Sequence, residues 1–208
     1  MQALSSATQE AESTTLKASD VLQVVDLLTV AGVRFWVDGG WGIDALVGRQ
    51  TRPHLDLDLA IRTEDLSRYV RAMIELGYRT TRVDNPWNFV MMDATGRSVD
   101  VHLVDFHTTL DGPGGRRVYG PHGLAYEVGA FGGSGWILGR EVPCCTADFQ
   151  MRSHTGYTLD ENDYHDVLLL EHQFGIPLPA EYARFRPLAT RAKRPEKVDI
   201  DRRSRTNC

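Results

Sequence analysis

The segment LDLDLAI, residues 55–61, constrains this chain more than any other stretch. Strict alternation of apolar and polar residues is the mark of a strand with two unlike faces. Leu55, Leu57 and Leu59 go to one side, and Asp56 and Asp58 go to the other. Two aspartates so placed stand roughly 7 Å apart at Cα. Carboxylates held that close repel, which raises a pKa unless a cation lies between them. Mg²⁺ is a fitting cation, because it takes oxygen ligands, commonly one or two carboxylates plus substrate phosphates. On its own such a strand is more simply a solvated face, and three further features weigh against that simpler account.

The first is SVDVHLV, residues 98–104, a second alternating strand. Val99, Val101 and Leu103 share one face, and Asp100 and His102 share the other. If the two strands are neighbours, Asp100 adds a third carboxylate. The second is Gly39-Gly40, read as a turn between the strand VRFWVD (33–38) and the short helix WGIDALVG (41–48). Backbone N–H groups at such a turn, with a helix dipole behind them, cradle an anion, and glycine lets a phosphate come close. The third is a run of cationic side chains, Arg49, Arg52 and His54, between the glycines and the aspartates. The planar fork of arginine matches phosphate, and Arg52, close to the Asp pair, is the one expected to meet a phosphate. Each feature also has an ordinary reading, as a tight turn, a solvated face or a surface charge.

The rest of the chain frames this centre. Residues 1–18 read as a disordered N-terminus, with Ser19 and Asp20 offering the cap of the helix VLQVVDLLTVAG. Thr63 is expected to cap the helix EDLSRYVRAMIEL. Strands are expected at 78–83, 87–93 and 97–106, the last two joined by a turn at Ala94-Thr95-Gly96. Residues 107–135 hold nine of the nineteen glycines and read as loops with short strands. A strand or hairpin follows at 136–144. Then come a short helix after Thr146 and a longer one after Asp160, ended by Gly175. This gives an α/β (α+β) fold: a mixed sheet flanked by helices over 19–145, a small helical part over 146–187, and a disordered tail over 188–208. The tail is basic, with seven Lys/Arg against three Asp/Glu from Ala189 onward.

Composition excludes several classes. A net charge of −5 argues against nucleic-acid binding by the whole surface. No apolar run is long enough to span a bilayer, and the polar N-terminus lacks the form of a signal peptide, so a soluble cytoplasmic protein is expected. The three cysteines, Cys144, Cys145 and Cys208, form neither a disulfide framework nor a zinc spacing, and Cys144 and Cys145 read as buried hydrophobes.

A glycine turn, a helix, D-x-D and a later strand aspartate resemble the nucleotidyltransferase superfamily that includes DNA polymerase β. FWVDGGWGIDALVGRQTRPHLDLDL narrows the likeness to small antibiotic nucleotidyltransferases, the lincosamide enzymes first and the aminoglycoside enzymes next. VPCCTADFQMRSHTGYTLDENDYHDVLLL resembles the later part of the lincosamide type. The likeness runs over roughly residues 20–175 and is weakest from Val104 to Gly135. It implies a nucleotidyltransferase fold in which Asp56 and Asp58 hold Mg²⁺, and Asp100 is the general base and shares a metal. It also implies that Gly39 and Gly40 line the triphosphate, and Arg52, read from its place beside the aspartates, is expected to meet the same nucleotide. Asp44, His54, His102, His154, Tyr157 and Asp163 are weaker site candidates, and Asp38 and Asp166 fall beside them. The implied reaction moves a nucleoside monophosphate, AMP from ATP, onto a hydroxyl of a small antibiotic. Nucleic acid and membrane are not expected partners, and a homodimer is compatible with enzymes of this size. Two alternatives stay open: an antitoxin-type enzyme that modifies a protein partner, and a non-catalytic nucleotide-binding module. The Gly-Gly-Trp-Gly-Ile-Asp turn argues against the first. The presence of all three carboxylates argues against the second.

Overall fold

The computed structural model describes residues 14–120 and 125–185. The first half contributes β1 (Phe35–Asp38), β2 (Asp56–Arg62), β3 (Arg79–Asn85), β4 (Asn88–Met92) and β5 (Ser98–Val104). After them come β6 (Thr109–Asp111), β7 (Arg117–Tyr119), β8 (Gly133–Ile137) and β9 (Arg140–Cys144). The helices are α1 (Ala18–Val30), α2 (Gly39–Val47), α3 (Leu66–Glu75), α4 (Ala147–Ser153) and α5 (Glu161–Phe174). Seven strands form one mixed sheet in the order β3-β4-β5-β2-β1-β9-β8, while β6 and β7 pair as a separate ribbon. The expected mixed sheet with flanking helices is therefore present.

Period-two geometry decides what each face of the sheet does. Phe35, Val37, Leu57, Leu59, Ile61, Val99, Val101 and Leu103 are buried in one cluster with Val21, Val24, Val25 and Leu28 of α1 and Tyr69 and Met73 of α3. Each such fully buried aliphatic side chain contributes about 1.5–3 kcal/mol. The opposite face has a smaller aromatic cluster, in which Trp36, Ala60 and Val104 pack with Tyr126, Ala130, Cys145 and Phe149. The carboxylates lie on this second face. Cys144 and Cys145 are free thiols and buried, as their surroundings in the sequence suggested. The helical end packs on α2, with Ile43 meeting Met151, Leu159, Val167, Leu170 and Tyr182.

Several local expectations need correction. Residues 14–18 are ordered: Leu16 is fully buried and its N–H donates to the His54 carbonyl at 2.8 Å. The apolar contact outweighs the polar composition around it. Helix α1 begins at Ala18, not after Ser19 or Asp20; Asp20 instead accepts from the Lys17 N–H at 2.9 Å, three residues back. Thr63 starts a single 3₁₀ turn, Thr63–Asp65, and gives no side-chain cap to α3. Gly39-Gly40 is the first turn of α2 itself, because Asp38 caps the helix one residue ahead of them. Residues 1–13 and the basic tail expected at 188–208 lie outside the described residues. Among the described residues no helix is long and apolar enough to cross a membrane.

Candidate active site

Strand pairing builds a row of carboxylates. Asp38 on β1 stands opposite Asp58 on β2, and Asp58 stands opposite Asp100 on β5. Directly paired residues share a face, so the three acids cross the sheet side by side. Ligand atoms of Asp58, Asp100 and His102 lie within 4.8 Å of one another. His102 Nε2 is 3.7 Å from Asp58 Oδ1 and 3.9 Å from Asp100 Oδ1. Asn88 on β4 donates to Asp100 Oδ1 at 2.7 Å and lies 3.1 Å from His102 Nδ1. Asp56 shares this face but stands opposite Ser98, one step along β2, and is exposed. It therefore flanks the close group, and His102, a weaker expectation, takes the third place in it.

The electrostatics follow from this crowding. The protein packed around Asp56 and the repulsion of Asp58 and Asp100 push its carboxyl up to about 6, against the pull of His54 and Arg52. Burial also raises the pKa of Asp100, with Asp58 adding to the rise and His102 and Asn88 opposing it. Burial alone would lower the pKa of His102, but Asp58, Asp100 and Asp38 override it and raise the value.

The first turn of α2 sits on this row. Asp38 Oδ1 accepts from the Gly39 N–H at 2.9 Å, which caps the helix. A Cβ on Gly39 would lie 2.1 Å from Asp58 Oδ2, and the residue has φ +55°. A Cβ on Gly40 would lie 2.6 Å from both Arg52 and His54. Both glycines therefore let backbone approach polar side chains where a Cβ would force something to move.

The loop between α2 and β2 is tied down from two sides. Arg52 binds Asp166 of α5 with two parallel hydrogen bonds, Nε to Oδ1 at 3.0 Å and a terminal nitrogen to Oδ2 at 2.6 Å. Asp44 is buried, 2.6 Å from His54 Nε2, and accepts from the Thr51 N–H and hydroxyl. His165 Nε2 lies 3.1 Å from the same Thr51 hydroxyl. Asp44 and His54 thus hold the loop beneath the site, with His54 packed on Trp41 at 4.7 Å between ring centroids.

A cavity of about 820 Å³ opens over the row. Asp38, Gly39, Gly40, Arg52, Asp58 and His102 form its floor. His154, Tyr157 and Asp163 line it from the helical end, Tyr157 donating to Asp163 Oδ1 at 2.7 Å. His154 is buried and its Nδ1 is 2.8 Å from the Gln150 carbonyl. Asp163 also closes the capping box of α5 by accepting from the Asp160 N–H. The residues of the remaining wall were not singled out in the sequence, although most belong to the stretch 104–135 where the likeness is weakest. That wall includes Tyr126 and a carboxylate, Glu127, held by both Arg116 and Arg152. These residues come from the glycine-rich segment and α4, where no periodic pattern marks them. Asn88 was the more findable omission, since it begins a strand that pairs with β5.

The chain matches the model of the aminoglycoside-2''-adenylyltransferase family over residues 20–170. It is 26% identical over 153 residues to a lincosamide resistance protein of Staphylococcus haemolyticus, covering 71% of this chain and 90% of that relative. It is also 39% identical over 70 residues to a 2''-aminoglycoside nucleotidyltransferase of Klebsiella pneumoniae, covering 32% of this chain and 39% of that one. Its fold is similar to that of the lincosamide antibiotic adenylyltransferase LnuA, solved with lincomycin bound. The TM-score there is 0.63 at 23% identity, over 76% of this chain and 98% of the other. The fold is likewise similar to that of ANT(2'')-Ia, solved with adenylyl-2''-tobramycin, with a TM-score of 0.60 at 19% identity over 75% and 88% of the two chains. With the family model spanning the sheet, the carboxylate row and most of α5, the chain belongs to the aminoglycoside-2''-adenylyltransferase family and is a nucleotidyltransferase.

Proposed function

We propose that this protein transfers AMP from ATP to a hydroxyl of a small antibiotic, lincosamide-like or aminoglycoside, and so inactivates the drug. The observation that carries the reading is the pairing of Asp100 with Asp58, which lies with Gly39 on the floor of one cavity. The cavity volume lies in the ordinary range of small-molecule sites, which favours a small acceptor over a protein partner. A donor of this kind is drawn from the cytoplasm, and the activity belongs there.

The donor set fits Mg²⁺. Asp58 and Asp100 offer hard oxygen ligands at close range, and Asp56 stands next along the same face. Asp56, Asp58 and Asp100 would hold the ion, which when bound neutralises phosphate charge and orients an in-line displacement. The remaining work falls to the chain. The N–H groups at the start of α2, at Gly39 and Gly40, face the triphosphate with the helix dipole behind them. Arg52, fixed by Asp166, presents the outer edge of its guanidinium to the nucleotide. Asp100 accepts the proton of the acceptor hydroxyl. His102 lies between Asp58 and Asp100 and keeps the two carboxylates in place. Tyr157, Asp163 and His154 line the wall that receives the rest of the substrates.

The test is to incubate the protein with Mg²⁺, ATP and a panel of lincosamides and aminoglycosides, and to follow pyrophosphate release and acceptor mass. The expected result is an acceptor heavier by one AMP, with the gain lost in Asp100→Asn. ATP binding with no acceptor modified would mean that the acceptor is outside the panel or is a protein. No nucleotide binding in the presence of Mg²⁺ would overturn the reading and leave the row a solvated strand face.

A further inference from the structure

Tyr126 reaches the carboxylate row from the glycine-rich segment, far from the motif that defines the site. Its side chain is 2% exposed, and its hydroxyl donates to Asp38 Oδ2 at 2.7 Å. Its ring stacks on Phe149 at 4.8 Å and on Phe131 at 5.1 Å between centroids, so the hydroxyl is held by a rigid aromatic base. Asp38 is itself 7% exposed. One of its oxygens accepts from Gly39 and the other from Tyr126. Asp38 thus joins three things: the end of β1, the first N–H of α2, and the cavity wall at Tyr126.

The consequence concerns an anion at the edge of a phosphate site. A buried carboxylate needs its acceptor capacity satisfied. Without the phenol, Asp38 keeps the Gly39 N–H and the Cys145 thiol, a weak donor, and turns to find a stronger partner. Its turning loosens the Gly39 N–H, and Gly39 is the residue that packs against Asp58 with no room to spare. The phenol also draws off part of the negative charge that Asp38 presents to an incoming phosphate.

We propose that Tyr126 is a positioning residue for the nucleotide: it fixes Asp38, and through Asp38 the first turn of α2, in the conformation that receives phosphate. This rests on the reading that Gly39-Gly40 meets the triphosphate. It makes the wall at Ala125, Tyr126 and Glu127 a mechanical partner of the phosphate cradle as well as a boundary of the cavity.

The experiment uses the full chain and four variants: Tyr126→Phe, Tyr119→Phe, Asp38→Ala, and Asp38→Ala combined with Tyr126→Phe. Tyr119 stacks in the same aromatic group, but its hydroxyl reaches the Val128 carbonyl at 3.4 Å and not Asp38. Two quantities are read: affinity for a non-hydrolysable ATP analogue with Mg²⁺, and amide hydrogen exchange over residues 39–42 without nucleotide. Tyr126→Phe is expected to weaken the analogue about tenfold, the size of one hydrogen bond to a charged group. It is also expected to speed exchange in the first turn of α2. Tyr119→Phe should do neither, and the double variant should match Asp38→Ala alone. Asp38→Asn takes the place of Asp38→Ala should the latter not fold. The proposal is overturned if Tyr126→Phe leaves exchange over 39–42 unchanged, if Tyr119→Phe has the same effects, or if the losses of Tyr126→Phe and Asp38→Ala add in full. Should the native chain bind no nucleotide, the functional reading falls, and the exchange data alone decide whether Tyr126 holds the turn.

Discussion

A methyl group at residue 39 would lie 2.1 Å from Asp58 Oδ2, on a backbone with φ +55°. Gly48 has a similar φ of +79° but nothing within 4 Å of a Cβ. The pair separates strain from function. Gly48→Ala is expected to cost about 1 kcal/mol of stability, the ordinary penalty for a left-handed residue, and to leave activity alone. Gly39→Ala must move Asp58 or the helix start, and a displacement of about 1 Å at reacting groups costs on the order of 100-fold in rate. Pyrophosphate release and thermal melts on both variants check this. Asp56 tests the other property of the site, its crowding. Its folded pKa of about 6 lies above the unfolded value near 3.9, so ionisation opposes folding. The stability it contributes is present below pH 4 and lost as pH rises through 6. Asp56→Asn should therefore raise the melting temperature at pH 7.5, by about 2–4 °C for roughly 1 kcal/mol after allowing for its exposure to solvent. The gain should vanish at pH 4, and activity should fall throughout. At this scale the aspartates were legible because alternation places them without tertiary information. The reason for Gly39 was not, since its contact with Asp58 exists only through the β1–β2 register.

Elements were legible where one chain segment carries its own signal. The strands at 55–61 and 98–104, the turn at 94–96, and α5 between Asp160 and Gly175 all follow from pattern and punctuation. Element starts were less legible, because the groups that satisfy them come from outside. Asp65 shows this. It is completely buried at the entrance of α3, where the sequence offered Thr63 as the cap. It accepts from the Arg34 N–H at 3.0 Å, from Arg62 Nε at 3.0 Å and from Arg68. It therefore ties α3 to the approach of β1. Burial alone would raise its pKa, but Arg62, the Arg34 N–H and Arg68 outweigh burial and hold it below the usual carboxylate value. A depressed folded pKa contributes stability above the unfolded pKa, and that stability is lost as pH falls through the folded one. Asp65→Asn is expected to cost about 2–3 kcal/mol at pH 7, a melting temperature lower by about 5–10 °C. The difference between native and variant should close as pH drops below about 4. Melts across that range decide it; a gap that stays constant with pH would mean that shape, not charge, holds the entrance of α3.

The whole molecule depends on contacts that no local pattern announces. Strand order in the sheet and the 114-residue separation of Arg52 and Asp166 are examples. Arg52 was legible as a cation near the aspartates; its partner was one acid among several on a helix. Asp166 is 1% exposed and Arg52 is 21% exposed at the side chain, so the pair fastens α5 to the loop ahead of β2 largely out of water. Removing one member of such a pair leaves an uncompensated charge, which costs about 3–5 kcal/mol. A surface pair behaves otherwise. Arg140 and Asp26 are 45% and 51% exposed, and Asp26→Ala should change stability by less than about 1 kcal/mol and leave catalysis untouched. Asp166→Asn should lower the melting temperature by about 6–15 °C. It should also raise KM for the nucleotide, because Arg52 lines the cavity floor while Asp163, on the same helix as Asp166, lines its wall. Arg52→Lys keeps the charge but not the fork, and should show the KM effect with a smaller loss of stability. If Asp166→Asn melts early yet keeps its nucleotide KM, α5 is a clamp on the fold alone. If both quantities shift together, the helical end is part of the active site, and the cavity is completed only when α5 is fastened to the loop ahead of β2.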